Sequence, residues 1–265
     1  MRARLRLLPF ITSAVLLLAA CGGSGSAATP SAATAEDHGL IVSAASSLTD
    51  AFTDIGKEFE AWNPGVTVAF NFGPSDGLAT QIEEGAPVDV FASASPTWMD
   101  SVQDDRPGVS DRADFARNRL AVIVPTDNPA GIQGIDDLAN NGVQLVIAAE
   151  GVPAGDYARQ ILRNAEIYQA AMANVVSNTE DDRSVVASVA SGEADAGVVY
   201  VTDVTPDVTD QVALIQIPDA VNVIATYPIA VITGSEEAEL AKRFVDYVLG
   251  PGQRVLADYG FLPAS

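Results

Sequence analysis

The stretch LIVSAASSLTDAFTDIGKEFEAWNPG, residues 40 to 65, sets the architecture of the chain. Leu40, Ile41 and Val42 form a short continuous apolar run, which reads as a buried strand. Leu48, Phe52, Ile55, Phe59 and Trp62 then recur every three or four residues, one face of an amphipathic helix. Asn63-Pro64-Gly65 stops it. A strand thus turns directly into a helix across Ser46 and Ser47, which are either helix-capping residues or half of a binding site.

The same rhythm repeats downstream. Val66, Val68, Phe70 and Phe72 alternate as a strand, and Leu78 and Ile82 open a helix that ends at Gly85. Val88–Ala94, Leu120–Val124, Val143–Ala149 and Ala196–Tyr200 read as further strands. Pro96 opens another helix, and Tyr157–Leu162, Val185–Val189 and Leu240–Leu249 are helical. Strands that alternate with helices predict an α/β fold of mostly parallel sheets flanked by helices.

The beginning of the chain has a different logic. Arg2, Arg4 and Arg6 precede an apolar core that ends in Leu18-Ala19-Ala20-Cys21. A basic start, a short apolar run and small residues describe a secretory signal over residues 1–20. Leu-Ala-Ala-Cys also resembles a bacterial lipobox, which makes Cys21 the expected lipidation site; a plain signal peptide is the alternative. Residues 21–38 are rich in Gly, Ser, Ala and Thr and read as a flexible tether. Its root-mean-square reach is roughly 20–25 Å for a random coil.

Charge and composition exclude several functions. The full chain carries a net charge of −21 from 14 basic and 35 acidic residues. Loss of residues 1–20 removes three basic and no acidic residues, leaving 11 against 35, or −24. Nucleic acid and anionic lipid surfaces are thereby excluded as partners. Cys21 is the only cysteine and His38, placed in the tether, the only histidine, so no internal disulfide, histidine triad or histidine-rich metal site is expected.

In open α/β sheets, ligands bind beyond the carboxyl ends of the strands, where helices begin. Four turns of this kind are chemically alike: Ser46-Ser47, Gly73-Pro74-Ser75, Val152-Pro153-Ala154-Gly155 and Glu180-Asp181-Asp182. Each offers free backbone N–H groups and the positive end of a helix dipole to an anion. No P-loop and no dinucleotide fingerprint occurs. Only Arg183, beside the fourth turn, brings a cation near any of them.

The motifs AASSLTDAF, GAPVDVFASASPTWMD, VPAGDYA, ADAGVVYVTD and YPIAV follow one another from about Leu40 to Phe261. In this order and spacing the chain resembles the molybdate-binding proteins of ABC importers. The resemblance implies a two-lobed periplasmic-binding-protein type II fold. Residues 39–118 with 229–265 would form one lobe and 119–228 the other, with two crossing segments as a hinge. It also implies a tetrahedral oxyanion held by neutral donors. Ser47 and Ser75 would each give a hydroxyl and a backbone N–H, Ala154 and Asp182 a backbone N–H, and Tyr200 its hydroxyl. Asp182 departs from the family, where an apolar residue is usual; its carboxylate either faces the anion or, the favoured alternative, turns outward and caps its helix. Ser46 is left as a capping or spacing residue. Asp76 is a second acid beside the site.

Hydrogen bonds to a charged group contribute roughly 1.5–3 kcal/mol each. Five to seven therefore give roughly 8–20 kcal/mol gross, against about 8–12 kcal/mol net for sub-micromolar binding. A donor-only site favours fully deprotonated molybdate, tungstate or sulfate over phosphate, which keeps a proton near neutrality. The expected protein is a monomeric, lipid-anchored, extracytoplasmic receptor without cofactor or enzymatic activity, which delivers molybdate to an ABC permease. Sulfate or phosphate as cargo is the alternative, and a secreted hydrolase with Ser47 or Ser75 as nucleophile is the remote one.

Overall fold

The computed structural model describes residues 38–264. The expected signal segment, lipidation at Cys21 and nearly all of the tether lie outside the described residues. His38, assigned to the tether on composition, instead begins the first strand, where it pairs with Val66 and its ring meets Glu237 at 3.1 Å.

The chain opens with β1 (His38–Ala45), a 3-10 turn over Ser46–Leu48, and α1 (Thr49–Trp62). The apolar periodicity of α1 buries Phe52, Ile55 and Phe59, but Trp62 is 74% exposed at the last turn, packing only an edge near Tyr247. Gly56 lets α1 lie close on the sheet, since a Cβ there would sit 2.6 Å from the Phe70 ring. Next come β2 (Val66–Gly73), α2 (Ser75–Glu83), β3 (Val90–Ala92) and α3 (Pro96–Asp104). Strands β2 and β3 flank β1 in parallel register, as strands joined by helical crossovers do.

The long strand β4 (Val109–Pro125) departs from the predicted pattern. Only Leu120–Val124 has the apolar run of a buried strand; the polar first half, Val109–Arg119, carries bulges after Ser110 and after Asp114. Bulges disrupt the two-residue period on which a sequence reading relies. Beyond β4 lie β5 (Leu145–Ala148), α4 (Pro153–Asn164), α5 (Tyr168–Ala173), β6 (Val175–Thr179) and α6 (Asp182–Ala190). They are followed by β7 (Ala196–Tyr200), a 3-10 turn over Val201–Asp203, β8 (Val212–Gln216) and β9 (Ile224–Ile232). Finally α7 (Ala238–Leu249), α8 (Gly252–Asp258) and β10 (Leu262–Pro263) close the chain.

The strand order is β2-β1-β3-β9-β4-β7-β5-β6, with β8 and β10 also paired to β4. Each end of this order is parallel (β2-β1-β3 and β7-β5-β6), and the middle is antiparallel through β9 and β4. Strand β4 changes partners midway: Val109–Arg119 pairs with β9, and Leu120–Pro125 with β7 and β8. The sheet is therefore mixed rather than uniformly parallel along its length. Phe52, Phe59, Phe115 and Phe244 make one aromatic cluster that continues through Tyr227 to Tyr200. Among the described residues no helix is long and apolar enough to cross a membrane.

Candidate functional site

The parallel strand ends aim their turns at one place. Ser47, Ser75, Ala154, Asp182 and Tyr200, together with Ser46, line a single small cavity. They come from the β1–α1 turn, the start of α2, the start of α4, the start of α6 and the end of β7. Ser75, Ala154 and Asp182 sit in the first turn of their helices, where backbone N–H groups lack intrahelical acceptors. The cavity measures about 10 Å³, room for about one water, so a four-oxygen anion requires its walls to part.

Neither Ser46 nor Ser47 caps α1 through its side chain. The Ser47 hydroxyl lies 3.0 Å from the Tyr227 hydroxyl. Asn118 bears on the direction of that bond. Its Oδ1 accepts the Arg119 N–H at 2.9 Å, so Nδ2 is the donor to Thr202 at 2.8 Å and to the Tyr227 oxygen at 3.4 Å. With its oxygen supplied by Asn118, Tyr227 can give its own proton to Ser47, which leaves the Ser47 proton for an acceptor in the cavity. Ser75 follows the same logic: its oxygen accepts the Ala94 N–H at 3.0 Å and its own proton remains to give. The Tyr200 hydroxyl is buried and has no hydrogen-bond partner. Burial pushes both Tyr200 and Tyr227 well above the usual phenol range, so both stay protonated donors at neutral pH.

Asp182 corrects the sequence expectation. Asp181 has the extended backbone of an N-cap, and its carboxylate accepts the Ser184 N–H at 2.8 Å. That leaves Asp182 one residue inside the helix, where its side chain turns inward and accepts a hydrogen bond from the Ser46 hydroxyl. Ser46, expected to cap or space, is therefore the hydroxyl that holds this carboxyl. Arg183 does not line the cavity: it donates to the Ser46 carbonyl at 3.1 Å and pairs with Asp50. Asp76 likewise has a buried Oδ1 without a partner.

Two contributors were not legible beforehand. Tyr227 sits in the quoted motif YPIAV, where a phenol in an otherwise apolar strand was the available signal. Asp203, three residues beyond Tyr200 in YVTD, accepts the Tyr200 N–H at 2.9 Å, and its carboxyl and that of Asp182 act on one another electrostatically. Burial, then the nearby Asp182 charge, pushes the Asp203 carboxyl well above the usual range. Burial likewise raises Asp182, partly opposed by the Ser46 hydrogen bond.

A carboxyl raised on folding binds more protons in the native than in the unfolded state, between its ordinary value and its raised one. Its contribution to stability is thus present at low pH and lost as pH rises through that window. Asp203→Asn should therefore gain stability relative to the wild type as pH increases from about 4 upward. Urea unfolding at several pH values reads this difference, and parallel profiles would contradict it.

The site has no nucleophile–base pair among the described residues. His38 is exposed beside Glu237, Lys57 pairs with Asp54, and Lys242 with Asp246 and Asp111. Nor does any cluster of three or more His, Cys, Asp or Glu among the described residues suit a metal ion.

Comparison with known proteins places the chain in a family. Residues 40–262 match the family described as bacterial extracellular solute-binding protein. The chain is 37% identical over 254 residues to the molybdate-binding protein ModA of Mycobacterium tuberculosis, covering 95% of each. It is 34% identical over 237 residues to the Escherichia coli molybdate-binding protein ModA, covering 86% of this chain and 91% of the other. The periplasmic molybdate-binding protein of Azotobacter vinelandii shares the fold, with a TM-score of 0.72 at 21% identity over 84% of this chain and 98% of the other.

Proposed function

The chain belongs to the bacterial extracellular solute-binding proteins, among the molybdate-binding proteins of ABC importers, and from this premise we propose that it captures molybdate at the cavity of Ser47, Ser75, Ala154, Asp182 and Tyr200. It is a binding protein and not an enzyme, as its family is. The observation that carries the reading is the convergence of serine, tyrosine and helix-start donors on one cavity with no lysine or arginine in its lining. Charge-assisted hydrogen bonds of this kind suffice for tight binding of a dianion without a cation.

Residues 39–118 with 229–265 and residues 119–228 act as two lobes about the partner change in β4 and the entry into β9. Several contacts join them across the cleft. Trp98 donates from Nε1 to the Gly151 carbonyl at 2.8 Å, and Ser46 bonds Asp182. Opening would break these and make room for the anion, and closure would restore them around it. In this reading the protein works outside the plasma membrane, tethered through Cys21, binds tungstate as well, and presents the closed form as a monomer to the permease.

Calorimetry with molybdate, tungstate, sulfate and phosphate in parallel tests the cargo. Molybdate and tungstate should bind at sub-micromolar Kd, about 8–12 kcal/mol net, and phosphate weakly. Tight phosphate binding without molybdate binding would replace this reading with the phosphate one. Asp182 is the residue on which that choice turns. Protonated, it is a further donor suited to a bare dianion; ionised, it is an acceptor suited to an anion that keeps a proton.

A further inference from the structure

The cavity wall carries one acid, Asp182, and a second, Asp203, follows the wall residue Tyr200 by three positions. Asp182 is 2% exposed and Asp203 is 6% exposed, and the charge of each acts on the other. One oxygen of each is spoken for: Asp182 Oδ1 accepts from Ser46, and Asp203 Oδ2 accepts from the Tyr200 N–H. The remaining two, Asp182 Oδ2 and Asp203 Oδ1, are buried with no donor to satisfy them. Two buried carboxylates with acceptor oxygens left over cannot both be ionised, and a shared proton satisfies both at once.

We propose that Asp182 and Asp203 are a proton-holding pair built into the oxyanion site, and that anion capture is accompanied by proton uptake at this pair. This rests on the molybdate reading and deepens it. An arriving dianion lies against Asp182, and any negative charge left on the pair opposes it. A proton taken from solvent removes that charge. Binding and protonation therefore favour each other, and the linkage is reciprocal.

The surroundings leave the pair as the group that responds. From the β1–α1 turn it faces the Ser46 hydroxyl; on α6 its neighbours are Asp181 and Arg183. Arg183 acts on Asp203 and is already engaged by Asp50. From β7, β9 and α4 come Tyr200, Tyr227 and Tyr157, which interact electrostatically with the pair or with one another. Burial raises each of these phenols, so none of them ionises near neutrality. Asp76 approaches the cleft on the Gly151 side. Burial raises both acids of the pair, in the direction this proposal requires.

The linkage sign follows. Protons are taken up on binding wherever the free pair is partly ionised, so affinity falls as pH rises through that range. The limit is roughly tenfold per pH unit for each proton taken up.

Titration calorimetry of the wild-type protein with molybdate, in buffers of unequal ionisation enthalpy from about pH 6 to about pH 9, counts the protons directly. We expect net uptake and a falling affinity. Asp182→Asn and Asp203→Asn should lose the uptake and flatten the pH profile, with Asp182→Asn binding more tightly than the wild type at the alkaline end. A merely structural role would change affinity equally at every pH. Tight molybdate binding by the wild type with no proton exchange and a flat profile overturns the proposal, whether or not the variants fold. Failure to bind molybdate at any pH overturns the molybdate reading itself, and this inference with it.

Discussion

Replacing Ser47 and Ser75 together by alanine should weaken molybdate binding by roughly 3–6 kcal/mol, on the order of a hundredfold to ten-thousandfold. Each hydroxyl has its oxygen occupied from behind, by Tyr227 or by the Ala94 N–H, and so offers its proton forward. Each forward bond to a charged acceptor contributes roughly 1.5–3 kcal/mol. Both single variants should also lose stability, because each serine leaves a buried partner behind it. In Ser47→Ala the buried Tyr227 hydroxyl loses its acceptor, at a cost of about 1–3 kcal/mol in unfolding free energy. In Ser75→Ala the Ala94 N–H is left buried without an acceptor, at a cost of about 1–3 kcal/mol in unfolding free energy. Calorimetry and urea unfolding on the same preparations separate the two effects. Wild-type affinity in both single variants would remove the serines from the site.

Those buried partners explain what the sequence could and could not reveal. The turn after Leu40–Val42 was legible because its flanks obey simple periods, a buried apolar run and then a helical face. The serine and Val-Pro-Ala-Gly turns were legible because a helix start must leave N–H groups unpaired, whatever surrounds it. The partners behind those serines were not. Tyr227 comes 180 residues after Ser47, and Asn118 reaches both Tyr227 and Thr202 from the polar half of a bulged strand. No local pattern encodes such a meeting. Trp62 shows the opposite failure. It fits the apolar period of α1, but it is the last residue of the helix and stays exposed.

Asp182 was misread for a related reason. Either of two consecutive aspartates can cap a helix, and sequence alone does not say which residue the chain makes extended. Once Asp181 takes the cap, the helical geometry of the next residue sends the Asp182 carboxyl inward. Burial then converts an apparent liability for an anion site into a proton-bearing group. A site with only neutral donors binds a dianion with little response to pH near neutrality. The same site with a buried acid pair gains a coupling to pH, with the sign fixed by the pair's raised proton affinity.

The largest effect on the fold is expected from adding one methyl group to the Val-Pro-Ala-Gly turn. A Cβ on Gly155 would lie 2.2 Å from the Ala149 carbonyl oxygen and 2.3 Å from that of Ala148. Both are backbone atoms at the end of β5, so no side chain can swing aside to make room. The start of α4 would have to lift from the strand. Arg159 makes that costly, because its buried guanidinium donates to the Ala148 carbonyl at 2.8 Å and to the Gly155 carbonyl at 2.9 Å, tying the two elements together. Overpacking alone destabilises by about 1–3 kcal/mol, and the disrupted guanidinium bonds add to it. Gly155→Ala should therefore lower stability by at least about 3 kcal/mol, a fall in Tm of roughly 6–12 °C for a domain of this size. It should also weaken anion binding, because Ala154 moves with its neighbour. Gly134→Ala is the matched control, since nothing lies within 4 Å of its Cβ position and its backbone is extended. Equal melting temperatures for the two variants would show that the turn can open without loss. The close packing of α4 on β5 would then not be what holds the Ala154 amide in the cavity.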